Sequence, residues 1–258
     1  MRRLRALLSC LLLLLLPAAS PAEGRLVVAI DPGHGGDKDG AVSDAGLKEK
    51  DVCLAVARKL AAKLEAEGHR VLLTRAKDVA LPLEARIALA NREGADLFVS
   101  IHANSMPEPL RGRTHGVETY FLSAEATGAE ALAVARAENA DGETARAAGP
   151  AGAVDAILAD LARSQAHADS SRLAYALHGK LLAVTGRKDR GVHQAPFVVL
   201  EGAAMPAVLL EIGYLSHAAE AAKLATGAEQ EAIAAALAFG IEDFAGQILA
   251  RRADAGTP

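Results

Sequence analysis

Four residues far apart in the chain are of the types that metal-assisted hydrolysis requires. "VVAIDPGHGG" (Val27–Gly36) sets His34 among glycines directly after an apolar, strand-like run, with Asp31 just before it. "GLKEKD" (Gly46–Asp51) carries Glu49, "SIHAN" presents His102 at the end of another apolar run, and "AVLLEIG" (Ala207–Gly213) carries Glu211. Two imidazoles and one carboxylate with an open fourth position form the ligand set of a catalytic zinc site. A second carboxylate that is not a ligand suits a general base taking a proton from the attacking water. This reading assigns His34, Glu49 and His102 as metal ligands and Glu211 as the base. Taken singly, the signals are ordinary: a histidine after a strand is commonly a turn residue, and a glutamate at a helix start favours the helix dipole. Glu211 resists that explanation, because a carboxylate inside "VLLEIGYL" needs a partner or a purpose once buried. Of the eight histidines, the other six (His69, His115, His167, His178, His193 and His217) read as surface or packing residues.

Such residues need a scaffold that brings them to one place. "RLVVAI" (Arg25–Ile30) reads as a buried strand. A helix follows from about Asp51 to Glu67, with Val52, Val56, Leu60 and Leu64 four apart on one face. Strands are expected at "HRVLLT" (His69–Thr74), "DLFVSI" (Asp96–Ile101), "GVETYFL" (Gly116–Leu122), "FVVL" (Phe197–Leu200) and "AVLLEIG", and a helix between Pro82 and Gly94. The Ala-, Glu- and Arg-rich tract 124–185 reads as two helices joined at "AAGPAG" (Ala147–Gly152). A last helix opens on a capping box of Thr226 and Glu229 and carries Ile233, Leu237, Ile241, Phe244 and Ile248 on one side. Alternating strands and helices predict a single α/β domain, a mostly parallel twisted sheet with helices on both faces plus the helical insertion. In such sheets ligands collect at the carboxyl ends of the strands, which is where the two histidines and two glutamates fall.

The N-terminus reads differently. Arginines in Met1–Arg5, an apolar Leu7–Leu16 and small residues at Ser20 and Ala22 are the order of a secretory signal peptide spanning 1–22. Its apolar run is short for a membrane span, and no later segment offers roughly 18 uncharged residues. Removing 1–22 leaves residues 23–258 with 25 basic against 32 acidic side chains, a balance that argues against a nucleic-acid partner. Cys53 is then the one cysteine left, so no intramolecular disulfide forms, and its place beside Val52 suggests packing. No dinucleotide fingerprint, phosphate-binding G-x-x-x-x-G-K-[ST] or G-x-S-x-G nucleophile elbow occurs.

"VVAIDPGHGG", "GLKEKDVCLAVARKL", "LTR", "ADLFVSIHANS" and "APFVVLEGAAMPAVLLEIGYLS" resemble, in order and spacing, the zinc-dependent N-acetylmuramoyl-L-alanine amidases of cell division and sporulation. The resemblance runs from about Arg25 to Ile248. It places the family's zinc ligands on His34, Glu49 and His102 and its catalytic glutamate on Glu211. It implies hydrolysis of the amide between the lactyl group of N-acetylmuramic acid and the L-alanine of the peptidoglycan stem peptide, with zinc polarising the carbonyl. The tract 124–185 resembles the helical insertion of cell-division members, in which a helix occludes the zinc until a LytM-type activator displaces it. Glu138 in "ARAENADG" is then the candidate plug, with Glu130 and Glu143 as alternatives. The resemblance further implies a periplasmic enzyme of daughter-cell separation, and a monomer is the default expectation. His217 stands where the family often has an asparagine after "LS". The alternatives are a zinc peptidase cutting another wall bond and a non-catalytic wall-binding or regulatory module.

Overall fold

A computed structural model describes residues 25–140 and 153–255, with side chains over 25–140 and 164–250. The signal segment 1–22, Glu143 and the joint Ala147–Gly152 lie outside the described residues. The elements run β1 (Val27–Pro32), α1 (Glu49–Ala66), β2 (Arg70–Leu73), α2 (Leu83–Arg92), β3 (Leu97–Asn104), β4 (Val117–Leu122), α3 (Ala129–Asn139), α4 (Ala153–Thr185), β5 (Asp189–Ala195), β6 (Ala207–Tyr214), α5 (Ala218–Leu224) and α6 (Gly227–Ala255).

The strands form one six-stranded sheet in the order β2-β1-β3-β6-β4-β5. Strands β2, β1, β3 and β6 run parallel, whereas β4 lies antiparallel to β6 and parallel to β5. The sheet is therefore mostly parallel with a reversed pair at one edge. That reversal matters for the site, because the carboxyl ends of β1, β3 and β6 meet the amino ends of β4 and β5 on one rim.

Helices cover both faces because the strands are apolar on both sides. All eight residues of β3 and of β6 are buried. On one face Val52, Val56, Leu60 and Leu64 of α1 pack with Leu173, Leu177 and Leu181 of α4 and Ile233, Leu237, Ile241 and Phe244 of α6. On the other, Leu83, Ile87 and Ala90 of α2 and Ala131, Val134 and Ala135 of α3 cover Phe98, Tyr120 and Leu209. Each large apolar side chain removed from water in this way contributes about 1.5–3 kcal/mol. The stretch Gly227–Ala250 of α6 is long and apolar enough to cross a membrane by length and composition, yet its apolar face is spent on this core. Cys53 of α1 is fully buried, and burial pushes its thiol pKa up, so it is a poor nucleophile.

Three local expectations change. "FVVL" is not a strand: Val198–Leu200 is a 3-10 turn closed by Leu200 N donating to Phe197 O (3.1 Å), with Phe197, Val199 and Leu200 buried under α2. A short apolar run has the same appearance in a buried turn as in a buried strand. The strand of this region is β5, whose polar "DRGVHQA" pairs with β4 at the sheet edge. His102 lies inside β3 rather than beyond it, because β3 runs on to Asn104, with a register shift between His102 and Asn104, whereas Glu211 lies within its strand β6 as expected. His217, in the place of the family's asparagine, is the N-cap of α5, its Nδ1 accepting from Glu220 N (3.4 Å). The Thr226 hydroxyl oxygen likewise accepts from Glu229 N (3.2 Å) at the opening of α6.

Candidate metal centre

His34 is placed by backbone, not by its own packing. It follows β1 with φ 57°, a left-handed conformation that non-glycine residues seldom adopt and that is tolerated where surroundings over-determine it. Two buried arginines do so by donating to consecutive carbonyls. Arg75, just after β2, reaches Pro32 O with Nε (3.0 Å) and Gly33 O with Nη2 (2.7 Å). Arg86 of α2 reaches Pro32 O (2.8 Å) and His34 O (2.9 Å). Arg86 is balanced by Asp31, which is fully buried at 2.9 Å from its Nη1 and also accepts from Ser100 Oγ (2.8 Å) and Thr74 Oγ1. Asp31, near the end of β1, is thus a counter-ion beneath the loop.

Glu49 opens α1 but turns its carboxylate inward, where Oε2 accepts from Ala41 N (2.8 Å) and Oε1 from Ala103 N (3.0 Å). His102 is set by β3, and its ring occupies the space that a side chain on Gly33 would need, since a Cβ there would lie 2.5 Å from Cε1. Gly40 is equally constrained: its φ is +68°, and a Cβ would come within 2.5 Å of both Glu49 Oε2 and His34 Cδ2. Backbone must approach this closely for the three side chains to converge.

They converge with a fourth. His34 Nε2 lies 3.0 Å from Glu49 Oε2 and 3.2 Å from Glu138 Oε2; His102 Nδ1 lies 3.0 Å from Glu49 Oε1 and 2.8 Å from Glu138 Oε2. One ligand atom from each of the four falls within 4.8 Å of all the others. Zinc bound tetrahedrally at about 2.0–2.1 Å needs donors roughly 3.3 Å apart, so this donor set fits such an ion. Glu138 comes from the last turn of α3. The next residue, Asn139, fixes that turn, donating Nδ2 to Pro196 O and accepting from Val198 N at Oδ1, both 2.8 Å. Glu130, at the other end of α3, is not in the cluster and pairs with Arg190.

Glu211 stands beside the cluster, directly opposite His102 in the β3–β6 register. It is fully buried, and neither carboxylate oxygen accepts a hydrogen bond from the described residues. Burial pushes its pKa well up, the Glu138 carboxylate adds to that, and His102 opposes it. For Glu49 burial acts upward too, but His34 and His102 outweigh it and hold the carboxyl far below its usual range. Burial would lower His102, yet Glu138 and Glu49 raise it to about 10. Glu138 is held below its ordinary value, with His102 overcoming burial. Four groups in one place with opposed shifts are a mark of a working site.

Reading residue types alone passes over the arginines beneath the His34 loop, and over Glu118. Arg86 had a visible signal, a charge at a position between Leu83, Ile87 and Ala90 that the helix period turns inward. Glu118 had the signal that singled out Glu211: it is an acid in an apolar strand, and it sits opposite Glu211 in the β4–β6 register.

Comparison with known proteins agrees with this geometry. The family model described as N-acetylmuramoyl-L-alanine amidase matches residues 28–243. AmiA of Escherichia coli K12, named an N-acetylmuramoyl-L-alanine amidase, is 35% identical over 228 residues, covering 87% of this chain and 78% of AmiA. AmiC of Escherichia coli O6:H1, named likewise, is 34% identical over 243 residues, and the match takes in 92% of this chain but 57% of AmiC. The chain therefore spans little more than half the length of that relative. Among solved structures, the catalytic domain of CwlV from Paenibacillus polymyxa superposes with a TM-score of 0.65 at 31% identity, over 85% of this chain and 97% of that one. AmiC2 of Nostoc punctiforme does so at 0.64 and 30%, over 86% and 98%. With a shared six-stranded architecture and a family match over most of its length, the chain belongs to the N-acetylmuramoyl-L-alanine amidase family.

Proposed function

We propose that the chain is an exported zinc hydrolase that cleaves the amide between N-acetylmuramic acid and the L-alanine of the peptidoglycan stem peptide. The observation that carries this reading is the meeting of His34, Glu49, His102 and Glu138 within 4.8 Å, beside a buried carboxylate that bonds to no described group. His34, Glu49 and His102 hold the ion. When bound, zinc supplies a Lewis acid for the scissile carbonyl and lowers the pKa of water. Glu211 accepts the proton from the attacking water and returns it to the leaving amine, and burial, which raises its pKa, makes it a stronger proton acceptor than a carboxylate in water. Burial of Glu211 excludes bulk water from that transfer. Glu138 occupies the position that the substrate needs, so α3 holds the resting enzyme shut. A LytM-type activator binding the helical tract 124–185 would withdraw it. The secretory pattern of residues 1–22 and the kinship with AmiA and AmiC support a periplasmic role in wall remodelling and daughter-cell separation.

Mass spectrometry of peptidoglycan digested by the purified chain tests the bond. The expected products are free stem peptides beginning with L-alanine. Intact muramyl–peptide links with cuts elsewhere in the stem would instead make it a peptidase, and a wall left undigested by the Glu138→Ala variant as well would favour a non-catalytic wall-binding module.

A further inference from the structure

A second charged constellation lies on the same rim, one strand beyond Glu211. Glu118 is 1% exposed, and its two oxygens take four donors: Tyr120 OH (2.8 Å) and Asn104 Nδ2 (3.1 Å) on Oε2, Tyr214 OH (2.8 Å) and Arg190 Nε (2.6 Å) on Oε1. The capacity of this carboxylate is used up, and its effect is to fix Arg190 at the start of β5. The guanidinium also lies over the Tyr214 ring, 5.5 Å from its centre. Held at Nε from below, Arg190 turns its outer edge outward, where Nη2 binds Glu130 of α3.

Glu130 is 54% exposed, and an ion pair so open to water contributes little to stability. A buried carboxylate and two tyrosines are a large apparatus for aiming a cation at such a partner. The same apparatus is well suited to presenting a guanidinium fork to a carboxylate that comes and goes. Helix α3 also offers two acids to this rim at once: Glu138 to the metal centre and, eight residues earlier, Glu130 to Arg190. At 1.5 Å per residue they are about 12 Å apart along the helix, which an extended peptide covers in three to four residues.

We propose that Arg190 is a substrate-binding residue that takes a free carboxylate of the stem peptide, carried two to four residues beyond the scissile amide, and that Glu130 fills this subsite in the resting state. The proposal rests on the reading of the chain as an enzyme of peptidoglycan stem peptides. Helix α3 then imitates the substrate at two points, and its departure uncovers the metal and the anion subsite together.

Binding decides the matter. The catalytically silent Glu211→Gln chain is titrated with two synthetic muramoyl tetrapeptides, identical except that the carboxylates of the second, third and fourth residues are free in one and carboxamides in the other. The free-acid ligand should bind about tenfold or more tightly, as expected for a charge-assisted pair. Adding Arg190→Gln should abolish the difference, adding Arg190→Lys should retain part of it, and adding Glu130→Gln should tighten the free-acid ligand more than the carboxamide. Equal discrimination with and without the arginine, or none in the Glu130→Gln background, would overturn the subsite. Should Arg190→Gln fail to fold, because Glu118 loses its cation, the Glu130→Gln comparison decides alone. With Glu211 restored, a chain that cuts both ligands but lacks Arg190-dependent selectivity retains the amidase reading and loses the subsite. One that selects without cutting does the reverse.

Discussion

His34 carries a strained backbone, Gly40 and Gly33 can bear no side chain, and the carbonyls of three successive residues are held by two arginines. At this scale the centre is a set of donors held by backbone hydrogen bonds and close packing. Electrostatics follow from that arrangement, and their sign can be checked. In metal-free protein His102 is raised from 6.5 to about 10 by Glu138 and Glu49 against burial. Its contribution to stability is then complete below pH 6.5 and is lost as pH rises through about 10. Glu49, held low by His34 and His102, behaves oppositely and adds stability that disappears on acidification below its ordinary 4.5. Metal-stripped protein should therefore melt at lower temperature at pH 10 than at pH 7, and Glu138→Gln should flatten that decline. A melting temperature that rises or stays level across this range in the unsubstituted chain would contradict the coupling.

Helix α2 shows what an element does for the site without supplying a donor to the cluster. Its apolar Leu83, Ile87 and Ala90 pack on the sheet, and Arg86 from the same helix spans from Asp31 to the His34 carbonyl. Replacing Arg86 by leucine strands a fully buried Asp31 and should destabilise the fold by about 3–5 kcal/mol. Lys48→Ala, at an exposed pair with Asp39, should cost less than about 1 kcal/mol. Denaturant titration of both variants measures the contrast. Elements were legible in the sequence where periodicity was strong. The α1 stripe Val52-Val56-Leu60-Leu64 and the doubly buried β3 and β6 stood out because burial on one face or two leaves its own period. Strand β5 was not legible, because as an edge strand it is only half-buried and reads as a polar loop. "FVVL" misled for the converse reason, since burial made a turn as apolar as a strand. Residues His34, Glu49, His102 and Glu211 could be picked out by type and by their place at strand and helix ends. That Glu138 rather than Glu130 would join His34, Glu49 and His102 depended on where α3 docks, which Asn139 and Arg190 decide through contacts distant in sequence.

In the whole molecule, six strands with a reversed edge pair bring the ends of β1, β3 and β6 together with the starts of β4 and β5, and α3 closes over that rim. Substituting Glu138 by alanine should raise basal peptidoglycan hydrolysis about tenfold or more, because the closed population no longer competes with substrate. Dye release from labelled sacculi reads this out, and unchanged release by a folded variant would remove autoinhibition from the account. Deleting Ala131–Gly149 should act in the same direction, but it also strips Ala131, Val134 and Ala135 from the core and so must be accompanied by a melting curve. The central claim is that distant side chains gather one ion for hydrolysis while Glu211 moves the proton. It is tested most directly by zinc content and muropeptide release, measured together, for the purified chain and its Glu211→Gln variant. The account predicts one zinc per chain in both proteins, with release falling by about 10²–10⁴-fold in the variant. Equal release from both, or protein that hydrolyses the wall while holding no metal, would contradict it.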